Sequence, residues 1–209
     1  MNIQPIRVIL FDYGRVVAPE DGDPVVQAVY GTAPNDEASA AVFREYQAKL
    51  AVGAATEADV AQTLRSQGAE VPEDYEQRWI DTLHAHMSPD KKVLSLIDEL
   101  KSEGYEVMLL SNVWPLSAKV IREEGWYDVF ERLYLSCELK MRKPDAAIYE
   151  HVLADTGLKP EEILFIDDKP QNLAYPSSLG MHVLQVAGPS EVPDAVKRYL
   201  AEYGEGERA

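Results

Sequence analysis

A chain of 209 residues, 46% hydrophobic and 27% charged, has a globular composition and the length for one well-cored domain carrying a modest insertion. Thirty-six acidic residues against twenty basic ones leave a net charge of −16, which argues against nucleic acid as the partner, because phosphate backbones are held by clustered Lys and Arg. The lone Cys137 excludes an internal disulfide and a multi-cysteine zinc site. No apolar run reaches the roughly 20 residues of a membrane helix. Met1–Asp12 has neither the basic start nor the small-residue cleavage site of a signal peptide, so a cytoplasmic protein is expected.

The first apolar run, Arg7–Phe11, ends abruptly at Asp12-Tyr13-Gly14. Continuous β-branched and apolar runs of this length are buried on both faces, so it predicts a strand of a parallel sheet. From about Pro19 to Met87 the pattern becomes helical, over Asp36–Ala51, Thr56–Gln67 and Pro72–His86, with no convincing strand. Thirteen acids against four bases in Pro19–Ser88 hold over half of the excess negative charge, and an all-helical insertion is expected there. Ser88-Pro89-Asp90 opens a helix running to about Glu103, with Val93, Leu94, Ile97 and Leu100 on one face.

Further buried strands are expected at Glu106–Leu110, Ile163–Ile166 and His182–Val186, and a weaker one at Arg132–Leu135. Pro144-Asp145 opens a helix that ends at Gly157. Lys169-Pro170 opens another that ends at Gly180, where Pro176 is expected to kink or shorten it. Cys137 ends a strand pattern and reads as a small core residue. Gly204–Ala209 reads as a frayed tail. Alternating strands and helices predict an α/β fold. Residues 1–18 and 88–209 form a three-layer, Rossmann-like parallel-sheet core, and an α-helical cap is inserted at 19–87.

In an open parallel sheet, ligands bind beyond the carboxyl ends of the strands. That rule selects Asp12-Tyr13-Gly14-Arg15, Ser111-Asn112, Arg142-Lys143-Pro144 before a helix, and Asp167-Asp168. Carboxylates, a hydroxyl, an amide and cations together suit a hard divalent cation and a phosphate. Each piece alone has an ordinary structural explanation: an Asp after a strand caps a turn, and Lys-Pro before a helix is a solvated flank. The adjacent pair Asp167-Asp168 says more, since two carboxylates beside a buried strand repel unless a cation offsets them.

The order and spacing of VILFDYG, LLSN, MRKPDAAIYEHVL and ILFIDDKPQN resemble the haloacid dehalogenase (HAD) superfamily, most of whose members are phosphatases. The helical insertion falls where HAD proteins of the small-cap type carry their cap, and the longer LYLSCELKMRKPDAAIYEHVL is similar to the bacterial branch that includes glucose-1-phosphate phosphatases. The resemblance implies a Mg2+-dependent phosphatase of a small phosphorylated metabolite, such as a sugar phosphate. Asp12 is then the nucleophile that forms an aspartyl-phosphate. Asp12, the Gly14 carbonyl and Asp168 hold the metal, with Asp167 and Asn172 behind them. Ser111 and the Asn112 N–H bind phosphate oxygens, and Lys143 bridges Asp12 and the phosphoryl group.

One departure matters. Most HAD phosphatases carry a second Asp, the general acid, two residues after the nucleophile, and here that position is Gly14. General acid catalysis is worth about 10²–10⁴-fold, so esters of poorly acidic alcohols would suffer most. Two other readings share the fold. A 2-haloacid dehalogenase uses the same Asp on carbon without metal, and a catalytically quiet HAD domain would serve as a binding protein. Arg15 is a candidate contact to substrate phosphate or sugar. Arg44, Lys49, Arg65, Arg78, Trp79, His84 and His86 are the cap's candidate specificity residues, most of them expected on solvated faces. Trp79 is spaced for the core, and Trp114 is placed to roof a pocket or pack on the cap.

Overall fold

The computed structural model describes residues 6–20 and 37–206, with the backbone alone at 37–40 and 204–206. Five parallel strands form one sheet: β1 (Val8–Phe11), β2 (Glu106–Ser111), β3 (Arg132–Leu135), β4 (Ile163–Asp167) and β5 (His182–Gln185). Their order is β3-β2-β1-β4-β5, so the first strand is central. β1, β2 and β4 are almost wholly apolar because each face is covered, whereas the edge strand β5, expected to be buried, is only half-buried. Ile9, Phe11, Val107, Leu109, Leu164 and Ile166 point into one core, while Val8, Leu10, Met108, Leu110, Ile163 and Phe165 alternate into the other.

Among the described residues the insertion holds three helices: α1 (Glu37–Ala51), α2 (Glu57–Ser66) and α3 (Tyr75–His86). Thr56 and Asp59 form a capping box on α2. The start expected at Asp36 falls outside the described residues. The core helices are α4 (Lys91–Ser102), α5 (Pro115–Glu123), the single turn α6 (Ser136–Leu139), α7 (Ala146–Thr156), α8 (Pro170–Leu179) and α9 (Val192–Gly206). Asp90 caps α4 by accepting from the Lys92 and Val93 amides. The two strands of chain that join the insertion to the core are tied together, Asp90 N–H donating to Val17 O at 2.8 Å and the Tyr13 hydroxyl to Met87 O at 3.0 Å.

Helix α5 was not foreseen and three expectations are corrected. Residues 115–123 are helical, beginning with Pro115, whose fixed φ and missing N–H suit a first turn. Residues 192–206 are a helix whose Val192 and Val196 are fully buried, so residues 204–206 continue it, while 207–209 lie outside the described residues. Cys137 is buried but sits in α6. Helix α8 runs through Pro176 to Leu179. Proline cannot donate to the carbonyl four residues back, that of Asn172, and the Tyr149 hydroxyl donates to that oxygen instead, at 2.8 Å.

Glu57, at the start of α2, is 3% exposed and reaches out of the insertion to accept the Leu116 N–H, in the first turn of α5, at 2.9 Å. Burial nevertheless pushes its carboxyl up from 4.5 to about 7. The folded state therefore holds a proton that the unfolded chain has released, and this contribution to stability is present below pH 4.5 and lost as pH rises through 7. At most it is on the order of 3 kcal/mol. Glu57→Gln keeps an acceptor and removes the charge. In urea unfolding it should match the wild type near pH 5 and exceed it at pH 8; a variant no more stable at pH 8 would contradict this account.

Candidate active site

Because β1 lies between β2 and β4, the residues at their carboxyl ends converge: Asp12, Ser111 with Asn112, and Asp167 with Asp168. Carboxylate oxygens of Asp12, Asp167 and Asp168 lie within 4.8 Å of one another. Lys143 enters from the segment between α6 and α7. It is 2% exposed, with Nζ 2.9 Å from Asp12 Oδ1 and 2.7 Å from Asp167 Oδ2. The reading of Lys143 as a solvated flank is therefore wrong, since a lysine is buried in this way only against carboxylates.

Each group is held by partners distant in sequence. Asn112 brackets Lys143 through its side chain, Nδ2 donating to Lys143 O and Oδ1 accepting Lys143 N–H, both at 2.9 Å. Asp167 is fully buried and accepts from Asn172 Nδ2 at 2.9 and 3.0 Å and from Lys169 N–H at 2.8 Å. Asn172 is in turn fixed through its carbonyl by Tyr149, a residue the sequence did not single out and for which it offers no local signal.

The electrostatics are those of an unbalanced acidic cluster. Burial pushes Asp12 up to about 7, Lys143 opposing and Asp167 adding to the rise, while the Tyr13 N–H donates to Asp12 Oδ1 at 2.7 Å. Burial also raises Asp168, against the pull of Lys169. Asp168 Oδ2 lies 3.3 Å from Arg15 Nε, but its buried Oδ1 has no hydrogen-bond partner among the described residues. Three converging carboxylates, one with an orphaned oxygen, fit a hard divalent cation of the Mg2+ kind.

Above the cluster opens a cavity of about 500 Å³. Asp12, Gly14, Ser111, Asn112, Lys143 and Asn172 line its floor. Asp167, Asp168 and Arg15 are not among the lining residues, and the Arg15 guanidinium is engaged by Asp168 and, at 3.2 Å, by Ala187 O. Of the cap's candidate specificity residues only Trp79 lines the cavity. Its ring lies 5.8 Å from that of Trp114, so Trp114 both walls the cavity and packs on the insertion. Lys49 pairs with Glu45, Arg78 with Asp74 and His84 with Glu124. Arg142, which the sequence placed beside Lys143, also lines the cavity, as do Lys169 and Gln171, which were not singled out as ligands.

Residues 6–174 match the haloacid dehalogenase-like hydrolases. A sesquiterpene phosphatase of Aspergillus oryzae is 34% identical over 96 residues, 46% of this chain and 49% of that protein, so the chain spans about half of that relative. A D-ribitol-5-phosphate phosphatase of Bacteroides thetaiotaomicron is 29% identical over 201 residues, 86% of this chain and 91% of that one. The structure also resembles a HAD family enzyme of B. thetaiotaomicron solved with magnesium and inorganic phosphate. Its TM-score is 0.72 at 26% identity, covering 88% of this chain and 95% of that one. With the family match spanning most of its length and the buried lysine and three carboxylates in place, the chain belongs to the haloacid dehalogenase-like hydrolases.

Proposed function

We propose that this chain is a Mg2+-dependent phosphatase of small phosphorylated metabolites, working through an aspartyl-phosphate on Asp12. The observation that carries the reading is Lys143, buried between Asp12 and Asp167 at the foot of a ligand-sized cavity, beside the orphaned oxygen of Asp168. Asp12 attacks phosphorus in line, the alcohol leaves with the bonding electron pair and takes up a proton, and water then hydrolyses the acyl phosphate to regenerate Asp12 and release inorganic phosphate. Repulsion between carboxylate and phosphate dianion is offset on one side by the Lys143 ammonium. A bound Mg2+ supplies further positive charge at the phosphate, held by Asp12, the Gly14 carbonyl and Asp168. Ser111 and the Asn112 N–H bind the phosphate oxygens. Asp167 and Asn172 orient Lys143, Arg15 steadies Asp168, and residues 19–87 act as the cap over the substrate.

Two relatives are named as phosphatases and a structural neighbour was solved with magnesium and phosphate, which supports the activity. One relative's named substrate is a polyol phosphate and the other's a sesquiterpene, so they support no single substrate. Among the described residues no helix is long and apolar enough to cross a membrane. The test is phosphate release from p-nitrophenyl phosphate. Turnover with Mg2+ should fall by at least about 10³-fold in EDTA and return on adding Mg2+. Activity that survives EDTA, or chloride release from 2-chloropropionate in EDTA, would overturn the reading in favour of metal-free chemistry.

A further inference from the structure

We propose that the alcohol this enzyme releases is apolar: its substrates are phosphate monoesters of a hydrocarbon group, aryl or alkyl, and not of a sugar. The inference rests on the phosphatase reading and concerns the apolar part of the cavity's lining. The insertion contributes Phe43, Trp79, Leu83 and Met87 to it, and the core adds Val113, Trp114 and Ile121. Every cation that lines the cavity (Arg142, Lys143 and Lys169) comes from the core. Among the described residues, no charged side chain of the insertion does so.

The polar groups of these walls are few. The Ser117 hydroxyl accepts the Trp79 indole N–H at 2.9 Å and the Tyr13 hydroxyl donates to Met87 O, which leaves the Gln47 amide and the Trp114 indole N–H as the other polar groups of these walls. A sugar ring placed here would exchange water partners on several hydroxyls for indole and aliphatic carbon, whereas a hydrocarbon would gain the same surface as burial. At about 30 Å³ each, 500 Å³ corresponds to about seventeen water-sized atoms, of which the phosphate takes about five. Gly14 offers no proton to the leaving oxygen, so aryl esters, whose aryloxides leave without one, should turn over fastest within the apolar class.

The discriminating pair is cyclohexylmethyl phosphate and glucose 6-phosphate, both primary esters beside a six-membered ring and differing chiefly in ring hydroxyls. Acetyl phosphate, too small to need the walls, reports the phosphatase reading separately. With the full chain at saturating Mg2+, kcat/KM for cyclohexylmethyl phosphate should exceed that for glucose 6-phosphate by at least about 100-fold. Met87→Gln, similar in volume, should lower that ratio about tenfold. If acetyl phosphate is hydrolysed but glucose 6-phosphate is the equal or better substrate, the apolar assignment fails and the phosphatase stands. A ratio unmoved by Met87→Gln would likewise overturn the assignment of these walls. If none of the three is hydrolysed, the phosphatase reading fails and this inference falls with it.

Discussion

Asp12→Asn should lower phosphate release by at least about 10⁴-fold at any Mg2+ concentration, the scale seen when a covalent nucleophile is removed. The substitution is nearly isosteric. An amide oxygen at the same place can still accept the Tyr13 N–H and face Lys143, and the sheet beneath it, Val8 to Phe11, is untouched. Lys143 retains Asp167 as a partner at 2.7 Å. The thermal midpoint should therefore change by no more than a few degrees while turnover disappears, and this combination separates loss of a nucleophile from loss of a fold. Phosphate release would be followed with p-nitrophenyl phosphate and circular dichroism with temperature, on enzyme purified from a phosphatase-deficient host. A variant retaining a tenth of wild-type turnover would remove Asp12 from the chemistry, whatever its position.

The parts of this site that were legible in the sequence are those that local physics forces. Strands buried on both faces must be unbroken apolar runs, and the polar residue that ends each run marks the carboxyl edge of the sheet, so Asp12, Ser111 and Asp167-Asp168 could be located from spacing. Lys143 could be located only as a motif, because nothing near it in sequence distinguishes a buried lysine from a solvated one. Asp167 and Asn172 could be placed behind the ligands only through the motif, and the hydrogen bonds that hold the cluster in place were not legible. Asn112 and Lys143 are 31 residues apart, Tyr149 and Asn172 are 23 apart, and each bond exists only once the sheet has assembled. The shortening expected at Pro176 does not occur for the same reason: the carbonyl that proline leaves without a helical donor finds one on another helix. Helix α9 was missed although Val192, Val196, Tyr199, Leu200 and Tyr203 carry a helical period that the sequence shows.

Lys143→Met should reduce turnover by about 10³-fold and also weaken the fold, and the two losses have separable causes. Methionine fills much the same volume, so packing changes little, but Asp12 and Asp167 are left facing each other without the ammonium between them. Breaking a buried pair in this way costs about 3–5 kcal/mol, most of it the penalty of stranded charge. Mg2+ should return part of that stability, because any cation binding among these carboxylates favours the native state by mass action. It should not return the turnover, because the charge Lys143 presents to the phosphoryl group is still missing. A double variant resolves the remaining ambiguity. In Lys143→Met with Asp167→Asn, one stranded charge is gone and the residue at 167 can still meet Asn172, so urea stability should recover toward wild type. Turnover should stay at the level of the single variant. Recovery of both together would mean that Lys143 contributes only to charge balance within the fold; recovery of neither would mean that the charge-balance account of its burial is wrong.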